Sequence, residues 1–164
     1  NNFAASVTGQ LARPTGNSDV FQGFGDGAAL VTLSAVKLHN NWQFSGAAGL
    51  HLPFDDNASS TTGFASAHVS YQLTERFTPI VELNIYHTIM EGKDGLPTDF
   101  EEGSFFNFGS PNSEVNATTI TAAIGARYMI NESLSLGAAY EVPLTEEEES
   151  FTDSRITLDF VYKF

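Results

Sequence analysis

Apolar and polar residues alternate along most of this chain. The alternation recurs in eight segments, and within each segment the apolar residues fall mostly on one face. A period of two is the period of a β-strand, whose successive side chains point to opposite faces. The eight predicted strands are Phe3–Leu11, Ala28–Leu38, Trp42–Leu52, Phe64–Thr74, Phe77–Thr88, Ala117–Ile130, Leu134–Val142 and Ser154–Phe164.

The connections between these segments alternate between short and long. Short connections of the hairpin type are predicted at His39-Asn40-Asn41, Glu75-Arg76 and Asn131-Glu132-Ser133. The long polar connections are Arg13–Gly27, Pro53–Gly63, Ile89–Asn116 and Pro143–Asp153. This rhythm predicts a single all-β domain over residues 1–164. The domain is expected to be an up-and-down antiparallel sheet, whose even strand count allows it to close and lose its edges.

The last segment carries the most specific pattern. Ile156, Leu158, Phe160, Tyr162 and Phe164 share one face, and the last residue is aromatic. This pattern resembles the C-terminal strand of bacterial outer-membrane β-barrel proteins. Together with the rhythm of the connections, it makes the chain similar to the small eight-stranded type of that family (OmpA-, OmpX-, OmpW- or opacity-like). The segment Phe77–Tyr86 also looks like the strand that follows a periplasmic turn in such barrels.

The resemblance implies an eight-stranded antiparallel up-and-down transmembrane β-barrel in the bacterial outer membrane. Chain ends would be periplasmic and the long loops extracellular. Tilted strands of roughly 9–11 residues are long enough to cross the bilayer. The resemblance further implies that Phe160, Tyr162 and Phe164 form an insertion signal for the barrel-insertion machinery. Outer-membrane lipids and lipopolysaccharide would surround the protein.

Aromatic residues are concentrated where the two membrane interfaces would lie. Trp42, Phe77, Tyr128, Tyr162 and Phe164 are predicted near the short turns, and Phe64, Tyr71, Tyr140 and Phe160 higher up the strands or toward the loops. Aromatic girdles are expected at both interfaces of a membrane barrel. The alternative is a soluble, lipocalin-like barrel, which predicts the inverse arrangement, with an apolar interior and a polar exterior.

The net charge of the chain lies in its long connections. The chain has 20 acidic and 7 basic residues, which gives a net charge of −13. The long connections hold fifteen of the acids and two of the bases. An acidic surface disfavours nucleic-acid binding. We interpret the loops as a solvated acidic surface. The alternative is Ca²⁺ or Mg²⁺ bridging by their carboxylates, but no loop has the ligand spacing of a calcium loop, so no metal site is predicted.

Charged residues point into the predicted interior when the apolar residues face outward. They are the acids Glu82, Glu141 and Asp159 and the bases Arg127, Arg155 and Lys163. Eight strands leave an interior just wide enough for side chains to fill, and buried charges must be paired. A salt-bridge network that plugs the lumen is therefore predicted. The alternative is transport, through a narrow cation-preferring channel or as the C-terminal part of a larger porin-like barrel.

An enzymatic function is not predicted. The chain has no cysteine, its four histidines lack metal-ligand spacing, and no cofactor is expected. His68-Val69-Ser70 followed by Glu82 resembles the His-x-Ser pair and glutamate of lipid A deacylases, in which the histidine takes the serine proton. In those barrels the pair lies near the next-to-last strands, whereas here it lies on the fourth predicted strand. This function is therefore the least favoured.

The connection Ile89–Asn116 combines acidic residues with Phe100, Phe105, Phe106 and Phe108. Phenylalanines so close together are not expected to remain in water, so we expect them to contact a protein partner or lipid, or to pack within the loop cluster. Together these patterns predict an integral outer-membrane β-barrel with a plugged polar lumen and acidic extracellular loops. Such a protein would act as a structural anchor or as an interaction and assembly protein of the outer membrane.

Overall fold

The computed structural model describes residues 2–13, 26–55, 60–90, 116–145 and 153–164. Eight β-strands lie within these ranges, one for each predicted strand. They are β1 (Phe3–Ala12), β2 (Ala28–His39), β3 (Trp42–Pro53), β4 (Thr61–Tyr71), β5 (Phe77–Met90), β6 (Thr118–Met129), β7 (Leu134–Pro143) and β8 (Arg155–Tyr162). These ranges contain no α-helix with the length and apolar character needed to cross a membrane.

Each strand is hydrogen-bonded to its neighbours in the chain, and every pair is antiparallel. The predicted all-β, eight-stranded, up-and-down architecture is therefore confirmed. Local interactions stabilise the tight turns. Asn40, between β2 and β3, adopts a φ of 52°, in the left-handed region that asparagine tolerates. Between β6 and β7, Asn131 Oδ1 accepts hydrogen bonds of 2.9 Å from the backbone N–H groups of Ser133 and Leu134.

Strand β4 differs most from its predicted bounds, because it begins and ends three residues earlier. At its end, Thr74 belongs to the turn, where its Oγ1 accepts hydrogen bonds from the backbone N–H groups of Arg76 (3.2 Å) and Phe77 (3.0 Å). At its start, Thr61 and Thr62 pair with β5 across a β-bulge and are buried. Apolar alternation does not reveal a strand whose first buried residues are threonines.

The sheet has two unpaired edges in the described part of the chain. The outer edges of β1 and β8 have no strand partner there, and all ten residues of β1 are exposed. The eight strands therefore form one open sheet. Closure of this sheet into a barrel stays a prediction.

The cross-strand register divides the sheet into two faces of different chemistry. We call the apolar face the one that carries Val7, Leu33, Phe44, Val81, Ile124, Tyr140 and Leu158. The polar face carries Ser6, Ser34, Ser45, His68, Glu82, Thr121, Glu141 and Arg155. Since residues paired across two strands point to the same side, the alternation along each strand produces the same two faces across the whole sheet.

Burial in this sheet is inverted relative to a soluble protein. In the described ranges, the buried apolar residues are only Ala28 and Ala123. The buried polar residues are Ser60, Thr61, Thr62, Ser70, Thr88, Thr119, Thr121 and Glu141. By contrast, Leu158 and Ile124 on the apolar face are 77 % and 67 % exposed. Soluble proteins bury such side chains and rarely expose an apolar patch of this extent.

Two aromatic residues lie elsewhere than predicted. Tyr71 packs against Trp42, with ring centroids 4.7 Å apart, at the short-turn end of the sheet and not near the loops. Phe64 points to the polar face, because it lies two residues before Ser66 and four before His68 on β4. It stands opposite Gly49, which is on the same face of β3. A Cβ at Gly49 would lie 2.6 Å from the Phe64 ring, so the ring occupies space that the glycine leaves empty.

Candidate functional site on the polar face

The charged residues of the polar face are concentrated on strands β4 to β8. The register places His68, Glu82, Ala123, Glu141 and Arg155 in one row that crosses five strands. Ala123 on β6 lies between Glu82 on β5 and Glu141 on β7. Within this row, His68 lies beside Glu82 and Glu141 lies beside Arg155, so each carboxylate has a basic side chain on a neighbouring strand.

Glu141 is the centre of the largest polar cluster, and its side chain is only 6 % exposed. Its Oε1 accepts hydrogen bonds from the Thr121 hydroxyl and from Asn84 Nδ2, the latter at 3.2 Å. Its Oε2 accepts a hydrogen bond from Nη2 of Arg155 and forms an ion pair with that guanidinium. A carboxylate buried this deeply requires such partners, since an unpaired buried charge is strongly unfavourable.

A second ion pair joins β6 to β8 across the strand between them. Arg127 Nη2 lies 2.7 Å from Asp159 Oδ1. Gly137 of β7 stands between the two residues in the register, and a Cβ at Gly137 would overlap the Asp159 carboxylate. The glycine therefore leaves the space through which the aspartate reaches the arginine. Both partners are about 40 % exposed, so this pair is more open to solvent than the Glu141 cluster.

The third pair includes His68, which is not among the six residues of the predicted network. His68 Nδ1 donates a hydrogen bond of 2.8 Å to Glu82 Oε1. The sequence contained a signal for this contact, because His68 and Glu82 lie seven residues to either side of Glu75 in the predicted tight turn. Residues equally far from the centre of a hairpin turn face each other across its two strands.

The structure brings four of the six predicted network residues into two ion pairs and hydrogen-bonds a fifth, Glu82, to His68 on the same face, and it places the sixth elsewhere. Lys163 lies beyond the end of β8, is exposed, and has no ion pair with any residue in the described ranges. Its backbone N–H donates to the carbonyl of Ser133 (2.8 Å). The predicted insertion-signal residues Phe160, Tyr162 and Phe164 are all exposed.

The other predicted contact residues fall outside the described ranges. Phe100, Phe105, Phe106 and Phe108 lie there, as do most of the acidic residues of the long loops. Within the described ranges, no group of three His, Asp or Glu side chains could hold a metal ion.

The residues that resemble the deacylase motif are on the polar face. Nδ1 of His68 is engaged by Glu82. Ser70 is buried two residues further along the same strand. Within the described residues, Ser70 and His68 are not hydrogen-bonded to each other. The arrangement orients an imidazole with a carboxylate, while the serine of the motif remains apart from it.

Comparison of the chain with protein-family models, with curated proteins and with solved structures found no match. The features that bear on function are the two faces of the sheet, the paired charges on one of them, and the resemblance in the sequence pattern.

Proposed function

We propose that this chain is an integral outer-membrane β-barrel protein that serves as a structural anchor or as an interaction and assembly protein of that membrane. The observation that carries the proposal is the inverted burial of the sheet. Leucine, isoleucine and aromatic side chains are exposed over the apolar face, whereas threonine, serine and one glutamate are buried. A hydrocarbon environment stabilises such an exterior, and a transmembrane barrel has this pattern of apolar outside and polar inside.

The edges of the sheet support closure in a membrane. Because the sheet has eight up-and-down strands, β1 and β8 run antiparallel and can pair without any new connection. Their apolar residues, such as Val7 and Leu158, lie on the same face. In hydrocarbon, each unpaired backbone N–H or C=O is unfavourable by several kcal/mol, so an open edge is disfavoured there and a closed barrel is favoured.

Closure would turn the polar face into a lumen that side chains partly fill. An eight-stranded barrel has room for side chains but for little else. The Glu141 cluster and the Arg127–Asp159 pair would then lie inside this lumen, and removing one partner of the deeply buried Glu141–Arg155 pair is strongly destabilising. This arrangement supports a plug that holds β5 to β8 together and blocks a wide aqueous pore.

The proposed orientation and partners rest on the sequence pattern. The acidic connections would face outward from the cell, and both chain ends would face the periplasm. Phe160, Tyr162 and Phe164 would serve as the insertion signal for the barrel-insertion machinery. Outer-membrane lipids and lipopolysaccharide would surround the apolar face. Phe100 and the neighbouring loop phenylalanines would contact a protein partner or lipid.

The first test measures folding and conductance together. The protein is refolded into detergent and run on a gel with and without heating, then reconstituted into a planar bilayer. We expect a compact band that shifts on heating, and no steady ionic conductance. A protein that is soluble without detergent and shows no heat shift would contradict the membrane barrel. Steady cation-selective conductance would contradict the plug and make transport the leading function.

A second test addresses closure directly, because the chain has no natural cysteine. Ala5→Cys on β1 is combined in turn with a cysteine at each apolar-face position of β8, which are Ile156, Leu158, Phe160 and Tyr162. A disulfide requires Cα atoms about 4.4–6.8 Å apart. We expect one combination to form a disulfide within a single refolded chain, whereas Ala5→Cys with Val81→Cys on β5 should form none. Disulfides that join two chains would disprove closure of the single sheet.

A further inference from the structure

The polar face contains a hollow on the half of the sheet that lacks the charged network. This hollow of about 390 Å³ lies on β1 to β4, and Ser6, Ser34, Ser45, Ala47, Ser66 and His68 line it together with neighbouring small residues. Ser6 and Ser34 are hydrogen-bonded through their hydroxyl oxygens (2.8 Å). The volume is within the usual size of small-molecule sites, roughly 300–1,000 Å³. The lining offers hydroxyl groups and one imidazole, and that imidazole is paired with Glu82.

The charged side chains are held away from this hollow. Asp159 is paired with Arg127 over Gly137, and Arg155 is paired with Glu141. All four side chains are therefore held over β6 to β8, the strands that carry them. In a closed eight-stranded barrel, β2 and β3 stand opposite β6 and β7. The polar-face residues there include Ala123, Gly125, Gly137 and Ala139. Closure would therefore place these small residues opposite the hollow, while the longer Arg127 and Glu141 side chains of the same strands are held in their ion pairs.

One aromatic ring lies beside the loop-side end of the hollow. Phe64 lies two residues before Ser66 on β4, and its ring covers Gly49. Further toward the loops, Nδ1 of His51 is buried and has no hydrogen-bond partner in the described ranges. Buried polar atoms of this kind are usually satisfied by water or another polar molecule. A polar position with an unsatisfied nitrogen therefore lies on the same face, on the far side of the Phe64 ring from the hollow.

We propose that the closed barrel contains an off-centre passage along this hollow that admits small uncharged hydroxylated molecules of about the size of glycerol. The inference rests on the proposed closure of the sheet. Serine hydroxyls can both donate and accept hydrogen bonds, so they replace the water around such a molecule. Serine hydroxyls carry no net charge, so they do not compensate the hydration free energy that an ion would lose in the passage. The Phe64 ring sets the narrowest point.

The test uses refolded protein whose gel band has first been shown to shift on heating. It is reconstituted into liposomes, and glycerol entry is followed by light scattering after rapid mixing. We expect faster entry than into protein-free liposomes. Ala47→Phe, which places a ring in the hollow, should reduce entry to the protein-free rate. Ala48→Phe is the matched control, because Ala48 is the next residue but lies on the apolar face, and it should leave entry unchanged. Phe64→Ala should raise entry several-fold.

The outcomes distinguish failure of the proposed passage from failure of the proposed barrel. A heat-modifiable protein that lets glycerol in no faster than protein-free liposomes would overturn the passage and leave the barrel intact. Equal entry for Ala47→Phe and Ala48→Phe would overturn its location. If Ala47→Phe does not refold, Phe64→Ala decides, since an unchanged rate for that variant would also overturn the proposal. A wild-type chain without a heat shift would overturn the barrel itself.

Discussion

At the scale of single residues, Gly137 determines whether the Arg127–Asp159 pair can form. A Cβ at this position would overlap the Asp159 carboxylate, so Gly137→Ala should open the ion pair or displace the backbone. Added volume in a filled site is unfavourable by about 1–3 kcal/mol. We expect the free energy of unfolding in detergent to fall by that amount, measured by urea titration. Gly9→Ala is the control, because a Cβ there meets nothing within 4 Å. An equal loss for both variants would exclude this role of Gly137.

The Glu141–Arg155 pair should matter more than the Arg127–Asp159 pair, because the Glu141 side chain is 6 % exposed and those of Arg127 and Asp159 about 40 %. Exposed pairs contribute only about 0.2–1 kcal/mol, whereas removing one partner of a buried pair is unfavourable by about 3–5 kcal/mol. We expect Glu141→Ala to approach the larger loss. Arg155→Ala combined with Glu141→Ala should lose less than the sum of the two single variants, because the charges are removed together. Unfolding measurements on all three variants test this, and strict additivity would contradict a shared interaction.

At the scale of elements, the β2–β3 turn depends on the left-handed conformation of Asn40. A residue with a Cβ is unfavourable there by roughly 1–2 kcal/mol, whereas glycine adopts this conformation freely. Asn40→Ala should therefore lower the free energy of unfolding by about 1 kcal/mol, and Asn40→Gly should change it little. Both variants remove the asparagine side chain, so a difference between them reports the backbone conformation. Equal unfolding free energies would place the role of Asn40 in its side chain.

Strands, turns and faces could be predicted from the sequence because each is determined by local pattern. Alternation places Trp42 and Ile124 on one face, and the tight turn at Asn131 fixes the pairing of its two strands. Other features depend on several strands at once. The overlap between Gly137 and Asp159 arises only after β8 pairs with β7, and the ring of Phe64 finds room on the polar face because Gly49 stands opposite it. The unpaired edges and the serine-lined hollow likewise follow from the assembled sheet.

At the scale of the whole molecule, the proposed function depends on whether water or lipid surrounds the apolar face. Ile124, in the middle of β6, is 67 % exposed. If water surrounds this face, Ile124→Arg replaces an exposed apolar side chain by a charged one, and surface substitutions of this kind usually change stability by no more than about 0.5 kcal/mol. If lipid surrounds it, an arginine near the bilayer midplane is unfavourable by about 2–4 kcal/mol, and the effect falls to about 0–1 kcal/mol near the interface.

The depth dependence gives the sharper prediction. Tyr128 lies on the same face of the same strand but close to the short turn, so Tyr128→Arg should be tolerated better than Ile124→Arg in lipid vesicles. Each alanine variant at the same position separates the added charge from the lost side chain. We expect the arginine-minus-alanine difference in unfolding free energy to be larger at Ile124 than at Tyr128 by about 2 kcal/mol. Equal differences at the two depths would mean that no hydrocarbon layer covers this face, because only such a layer makes the effect of a charge depend on its position along the strand.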